Sequence, residues 1–149
     1  VRSEIESTHL YARVAQRVRN PSVRELLERL AAEEERHEHH LMELYRRMLG
    51  GEEPSLPARD ARDKRMELDP DADYVTVITA ARDKELGSEA FYQEASGKVL
   101  DHKTRIFFLE LAEAERRHAA DLDEQLARLE KDPHWFDRED PFKPTHLGP

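Results

Sequence analysis

Apolar residues recur along this chain at alternating spacings of four and three, the period of a helix that lays one face into a core. Between residues 23 and 48 the seam reads Val23, Leu27, Leu30, Glu34, His37, Leu41, Leu44 and Met48. Between 104 and 129 it reads Thr104, Phe108, Leu111, Glu115, His118, Leu122, Gln125 and Leu129. Each seam carries an acid and an imidazole, one helical turn apart, where leucine is expected. Two further stripes accompany them, one of Glu4, Ser7, Tyr11, Val14 and Val18, the other of Ile78, Ala81, Glu85, Ser88, Tyr92, Ala95 and Val99.

Cap and breaker residues divide these stripes into four helices. The first runs from about Ser3 to Arg19. Asn20-Pro21 reads as an N-cap with proline at the first helical position, and Gly50-Gly51 supplies the left-handed turn that ends helix two. Asp69-Pro70 or Asp71 is the expected cap of a third helix reaching about Leu100, and Asp101 caps a fourth that stops before Asp132-Pro133. This organisation gives a helical bundle over residues 1–131, with halves 1–49 and 72–131 joined by a linker at 50–71. A proline- and aromatic-rich tail follows at 132–149, in which Trp135, Phe136 and Phe142 are expected to dock on the bundle or on a neighbouring subunit.

The two halves are copies of one hairpin. A shift of 81 residues places Glu4 on Glu85, Ser7 on Ser88, Tyr11 on Tyr92, Val18 on Val99 and Leu30 on Leu111. It also places Glu34 on Glu115, Arg36 on Arg117 and His37 on His118. The same shift chooses among three adjacent acids, because Glu33 and Glu35 fall on Ala114 and Arg116 and only Glu34 falls on an acid. Glu4 and Glu34 each lie about 15 residues, or ~22 Å of helix, from the first turn, so they face each other at one level. Glu85 and Glu115 repeat this about the second turn. Packing the hairpins together gathers four carboxylates and two imidazoles into one layer.

Composition restricts the chemistry of that layer. The 149 residues suffice for one domain with a sizeable core, and the abundance of Leu, Ala, Glu and Arg favours helix. A net charge of -9 argues against nucleic acid as a partner. No cysteine is present, which excludes disulfides, thiolate catalysis and iron–sulfur chemistry. No apolar run approaches the ~20 residues needed to span a bilayer, so no membrane association and a cytoplasmic location are expected. Four ionised carboxylates cannot share an apolar core without compensation, since each uncompensated charge costs several kcal/mol. Two divalent cations cancel four negative charges. A mixed oxygen and imidazole set suits iron or manganese, with zinc as a surrogate.

Glu4-x6-Tyr11, Glu34-x-x-His37, Glu85-x6-Tyr92 and Glu115-x-x-His118, in that order, resemble the rubrerythrin branch of the ferritin-like di-iron carboxylate proteins over roughly residues 1–131. The resemblance implies an all-α, antiparallel four-helix bundle with a long crossover between helices two and three, holding two iron ions. By that resemblance Glu34 and Glu115 bridge the metals, Glu4 and His37 complete one metal's ligands, and Glu85 and His118 complete the other's. Tyr11 and Tyr92 are then phenols that orient ligand carboxylates. The implied function is an oxidoreductase acting on peroxide or dioxygen; the alternative is a ferroxidase or iron-storage protein, and a bundle merely held together by metal is a third reading. Rubrerythrins proper also carry a cysteine-rich rubredoxin domain. Its absence here calls for an external electron donor. Ser88 stands where the family has a further glutamate linked to peroxide chemistry, with Glu89 one position away. A homodimer is expected, which the linker would allow to be domain-swapped. His9, His39, His40 and His102 fall off the seams and read as solvent-exposed. Arg36 and Arg117 read equally as surface ion pairs or as counter-charges to the site.

Overall fold

The structure, a computed structural model, describes residues 2–51, 69 and 71–139. Most of the expected linker, together with Phe142 and His146 of the tail, lies outside the described residues. The described residues form four helices, α1 (Arg2–Arg17), α2 (Pro21–Met48), α3 (Tyr74–Lys98) and α4 (His102–Lys131), followed by a short 3-10 turn at Trp135–Asp137. This is the all-α bundle the seams predict.

Helix ends follow the cap chemistry at three of the four starts and stops that matter. The Asn20 side chain accepts hydrogen bonds from the Ser22 and Val23 amides at 3.0 and 3.3 Å, so Pro21 begins α2 with no wasted donor. Asp101 accepts from the Thr104 amide at 2.8 Å and from the Thr104 hydroxyl at 2.7 Å. Gly50 and Gly51 adopt φ of 69° and 97°, a region closed to most side chains. The cap of α3 differs from expectation. It is Asp73, whose side chain accepts from the Thr76 amide at 2.7 Å. Asp69 instead closes a turn of its own, accepting from the Asp71 amide through its side chain and from the Ala72 amide through its carbonyl, both at 2.9 Å. Three acids at alternate positions compete for one role, and the one adjoining Tyr74 takes it.

Helices pair most closely within each hairpin, α1 with α2 and α3 with α4. The hairpins lie with α3 beginning where α1 ends. Arg17 donates to the Ala72 carbonyl and Tyr74 donates to the Arg17 carbonyl, each at 3.2 Å. At the opposite end, Glu43 and Arg47 of α2 share a cavity wall with Asp101 and Lys103 at the start of α4. The end of α2 and the start of α3 therefore lie at opposite ends of the bundle, the placement that the expected long crossover requires.

Two apolar clusters stack along the bundle axis. One contains Tyr11, Val14, Val18, Val23, Leu27, Leu30, Ile78, Leu122 and Phe136; the other contains Leu41, Tyr92, Phe108, Leu111 and Ala112. On α2 the first ends at Leu30 and the second resumes at Leu41, and on α4 they are bounded by Leu122 and Ala112. The polar residues Glu34, His37, Glu115 and His118 occupy the interval between the two clusters.

The tail docks on its own bundle through Trp135 and Phe136. Phe136 is fully buried, packs against Tyr74 in a tilted arrangement with ring centroids 4.8 Å apart, and accepts through its carbonyl from the Arg19 and Asn20 amides at 3.0 Å each. The Trp135 indole donates to Gln125 at 3.0 Å, and the Asn20 amide group donates to the Trp135 carbonyl at 2.9 Å. Buried Asn20 thus caps α2 and pins the tail with one side chain.

Candidate metal centre

Each helix contributes to the layer from the buried face that its apolar stripe defines. Glu4 comes from α1, Glu34 and His37 from α2, Glu85 from α3, and Glu115 and His118 from α4. All four carboxylates are buried. The structure brings all six residues together, in two overlapping groups. Glu4, Glu34, His37 and Glu115 form one; Glu34, Glu85, Glu115 and His118 form the other. Within each group, one ligating atom per residue lies within 4.8 Å of the rest. Glu34 and Glu115 belong to both.

The facing distances are those of groups gathered around common points. His37 Nδ1 lies 3.3 Å from Glu115 Oε1, 3.9 Å from Glu4 Oε2 and 4.0 Å from Glu34 Oε2. His118 Nδ1 lies 2.8 Å from Glu34 Oε1 and 3.6 Å from both Glu85 Oε2 and Glu115 Oε2. The two imidazoles stack with centroids 5.8 Å apart. Tyr11 donates a short hydrogen bond to Glu85 Oε1, and Tyr92 donates to Glu4 Oε1 at 2.5 Å. Each phenol reaches across from one hairpin to the other, α1 to α3 and α3 to α1. Tyr11 and Tyr92 thus hold one oxygen of each outer carboxylate and leave the other facing the histidines.

Electrostatics show how uncomfortable these groups are with one another. Burial alone would depress the His37 imidazolium, but the facing carboxylates of Glu115 and Glu4 outweigh it and raise the group to about 9. His118 is pushed up to about 10 in the same way, against burial, by Glu115 and Glu85. Glu85 is raised to about 7, chiefly by burial, with the neighbouring Glu115 adding to it. For Glu115 burial is again the largest influence, yet the nearby His118 and His37 imidazoles win and hold the carboxyl below its ordinary range. Burial and the adjoining carboxylates raise both phenols, so Tyr11 and Tyr92 keep their protons.

Among the described residues, six buried side-chain atoms have no hydrogen-bond partner; one is Arg138 Nε, which faces Asp132, and the other five are Glu4 Oε2, Glu34 Oε2, both carboxylate oxygens of Glu115, and His37 Nδ1. Buried acceptors left unpaired are costly, and all five belong to the same layer. They are lone pairs aimed inward from a set of carboxylate and imidazole donors, which is the chemistry of a divalent cation's ligands. The residues therefore fit the metals that the sequence implies.

One participant escaped the repeat argument. Glu33 Oε2 lies 2.6 Å from His118 Nε2, the ring nitrogen that faces away from the layer. Its repeat partner is Ala114, so a comparison of halves passes over it; the signal available was its position one residue before a seam acid. Another is Lys84, half-buried beside Glu6 at 3.4 Å, where it closes the α1–α3 side. Glu89 does not enter the layer, and accepts instead from Gln93 on the surface of α3 at 3.4 Å. His9, His39, His40 and His102 are exposed, as expected, and so is His134. Arg36 and Arg117 are exposed too, and line a cavity of about 650 Å³ between α2 and α4 that reaches His37.

Among the described residues, no helix is long and apolar enough to cross a membrane. No curated protein sequence matches the chain. A solved structure of a hypothetical protein from Pyrococcus furiosus is similar in fold, with a TM-score of 0.75 and 24% identity over 87% of this chain and 85% of that one. The family model for rubrerythrin matches residues 1–126, a span that contains all four helices' contributions to the layer. The chain belongs to the rubrerythrin family.

Proposed function

We propose that this chain holds two iron ions in the layer and is an oxidoreductase that reduces peroxide or dioxygen with electrons from an external donor. The observation that carries this reading is the pair of overlapping ligand groups sharing Glu34 and Glu115, with their unpaired buried atoms turned inward. Glu34 and Glu115 would be shared between the ions, Glu4 and His37 would complete one, and Glu85 and His118 the other. Iron supplies the redox chemistry at such a site; the protein supplies spacing, ligand charge and access.

This chain's own residues do the rest. Tyr11 and Tyr92 fix the orientation of Glu85 and Glu4 across the hairpin interface. His37 and His118 release protons as a cation takes their place beside the carboxylates. The apolar clusters above and below keep bulk water from the layer. Access runs through the cavity at His37, whose charged lining is Arg36, Arg47, Lys103 and Arg117 against Glu43, Asp101 and Glu110. That balance does not concentrate ferrous ions, and favours a small oxidant as the substrate over iron in transit.

The test is turnover. The chain is loaded anaerobically with ferrous iron, then given hydrogen peroxide or dioxygen together with a reductant. Oxidant consumption that continues past one turnover supports the reading, while ferrous protein that no oxidant re-oxidises contradicts it. Native mass distinguishes iron storage, which needs a closed shell of many copies, from the dimer proposed here.

A further inference from the structure

The two ligand groups are alike by repeat but not by surroundings. His118 is only 2% exposed, and both of its ring nitrogens meet carboxylates: Nδ1 faces Glu34 at 2.8 Å, and Nε2 faces Glu33 at 2.6 Å. His37 is 14% exposed, and its Nδ1 is buried among the layer's carboxylates, so the exposed part of the ring is the edge away from them. That ring borders the cavity, whose wall also carries Glu43, Asp101 and Glu110, but among the described residues none of these acids pairs with it as Glu33 pairs with His118. The cause is legible in the repeat. The position equivalent to Glu33 is Ala114, and Ala114 is part of the cavity wall beside His37.

We infer that Glu33 is a positioning residue that makes the two metal positions inequivalent, so that the Glu34–Glu85–Glu115–His118 position fills first and the His37 position fills second and exchanges. This rests on the di-metal reading and adds to it an order and a cause. A carboxylate accepting from Nε2–H fixes the tautomer that leaves Nδ1 free to ligate, holds the ring's orientation and raises its basicity. His118 has that support and His37 does not. An outer partner of this kind is worth on the order of 10–100-fold in metal affinity. His37, with its outer edge toward the cavity, is the position that water or a small ligand reaches.

Two dications sharing Glu34 and Glu115 repel each other, so stepwise binding by itself does not identify the first position. The informative observation is which histidine responds. The chelator-treated full chain, labelled with nitrogen-15 at histidine, is titrated with zinc while the ring signals of His37 and His118 are followed. The inference predicts that His118 shifts during the first equivalent and His37 during the second. It also predicts a slowly exchanging Nε2 proton on His118. Glu33→Gln should weaken the first step by on the order of 10–100-fold, merge or reverse the order, and speed exchange of that proton. Ala114→Glu, placed where the cavity leaves room, should tighten the His37 step, and Glu33→Asp should restore part of the original order. His37 shifting first, both shifting together, or an order indifferent to Glu33→Gln overturns the inference while leaving the di-metal reading intact. Failure of the wild-type chain to bind any metal overturns both.

Discussion

At the scale of single residues, the layer is a set of groups each of which is costly alone. Glu34 and Glu115 sit in both candidate groups, so on the proposed two-metal reading their loss should be felt by both ions. Glu34→Ala combined with Glu115→Ala is predicted to abolish binding of both ions, measured as metal content after loading; retention of two ions would show that neither carboxylate is shared. Tyr92→Phe should fold and load, but with metal affinity lowered on the order of tenfold, because Glu4 loses the partner that orients it. Protonation provides a further prediction. His37 and His118 titrate near 9 and 10 in the folded chain against an ordinary 6.5, and Glu85 near 7 against 4.5. The folded state therefore binds more protons than the unfolded state over this range, and stability must fall as pH rises. In chelator-treated protein the melting temperature should decline from pH 4.5 through 7 as Glu85 ionises, and again from 6.5 through 10 as the imidazoles deprotonate. Metal-loaded protein should lose most of that decline, since the cation replaces those protons. The gathering of these six residues in one layer was legible in the sequence because each interrupts a core-facing stripe and recurs after 81 residues. Glu33 was not, because its contribution lies in being unrepeated.

At the scale of elements, the bundle depends on where helices stop. Asn20 is buried and serves two structures, capping α2 through its carbonyl oxygen and holding Trp135 through its amide. Asn20→Ala should cost about 1–2 kcal/mol in denaturant unfolding. Asp101→Ala should cost less, because Asp101 is exposed and caps only its own helix. An equal loss for the two would mean that the tail contact contributes nothing. The starts of α2 and α4 could be read in advance since a single cap residue adjoins each seam. The start of α3 could not, because Asp69, Asp71 and Asp73 all satisfy the cap rule and the choice depends on the docking of Tyr74 against Arg17 and Phe136. Likewise the sequence shows an aromatic tail, but not that Phe136 fills the end of the core.

At the scale of the molecule, a duplicated hairpin yields a pseudo-symmetric site enclosed by apolar packing at both ends. Phe136 closes one of those ends, and Phe136→Ala should destabilise the fold by about 3–5 kcal/mol while leaving the ligand layer, which lies beyond Leu30 and Leu122, able to take up metal. The equal hairpin arms were readable from spacing, and the long crossover was implied by the resemblance to the rubrerythrin branch. The cavity at His37 was not readable, since one of its wall residues, Ala114, departs from its repeat partner Glu33 and so lies outside anything the halves share. All of this rests on the claim that the layer is a two-metal site. Elemental analysis of protein purified without added metal, joined to anomalous scattering at the iron edge, tests that claim most directly. The account predicts two iron peaks per chain, one among Glu4, Glu34, His37 and Glu115 and the other among Glu34, Glu85, Glu115 and His118. A single peak, peaks elsewhere, or a metal-free layer with its carboxylates paired to each other would contradict it.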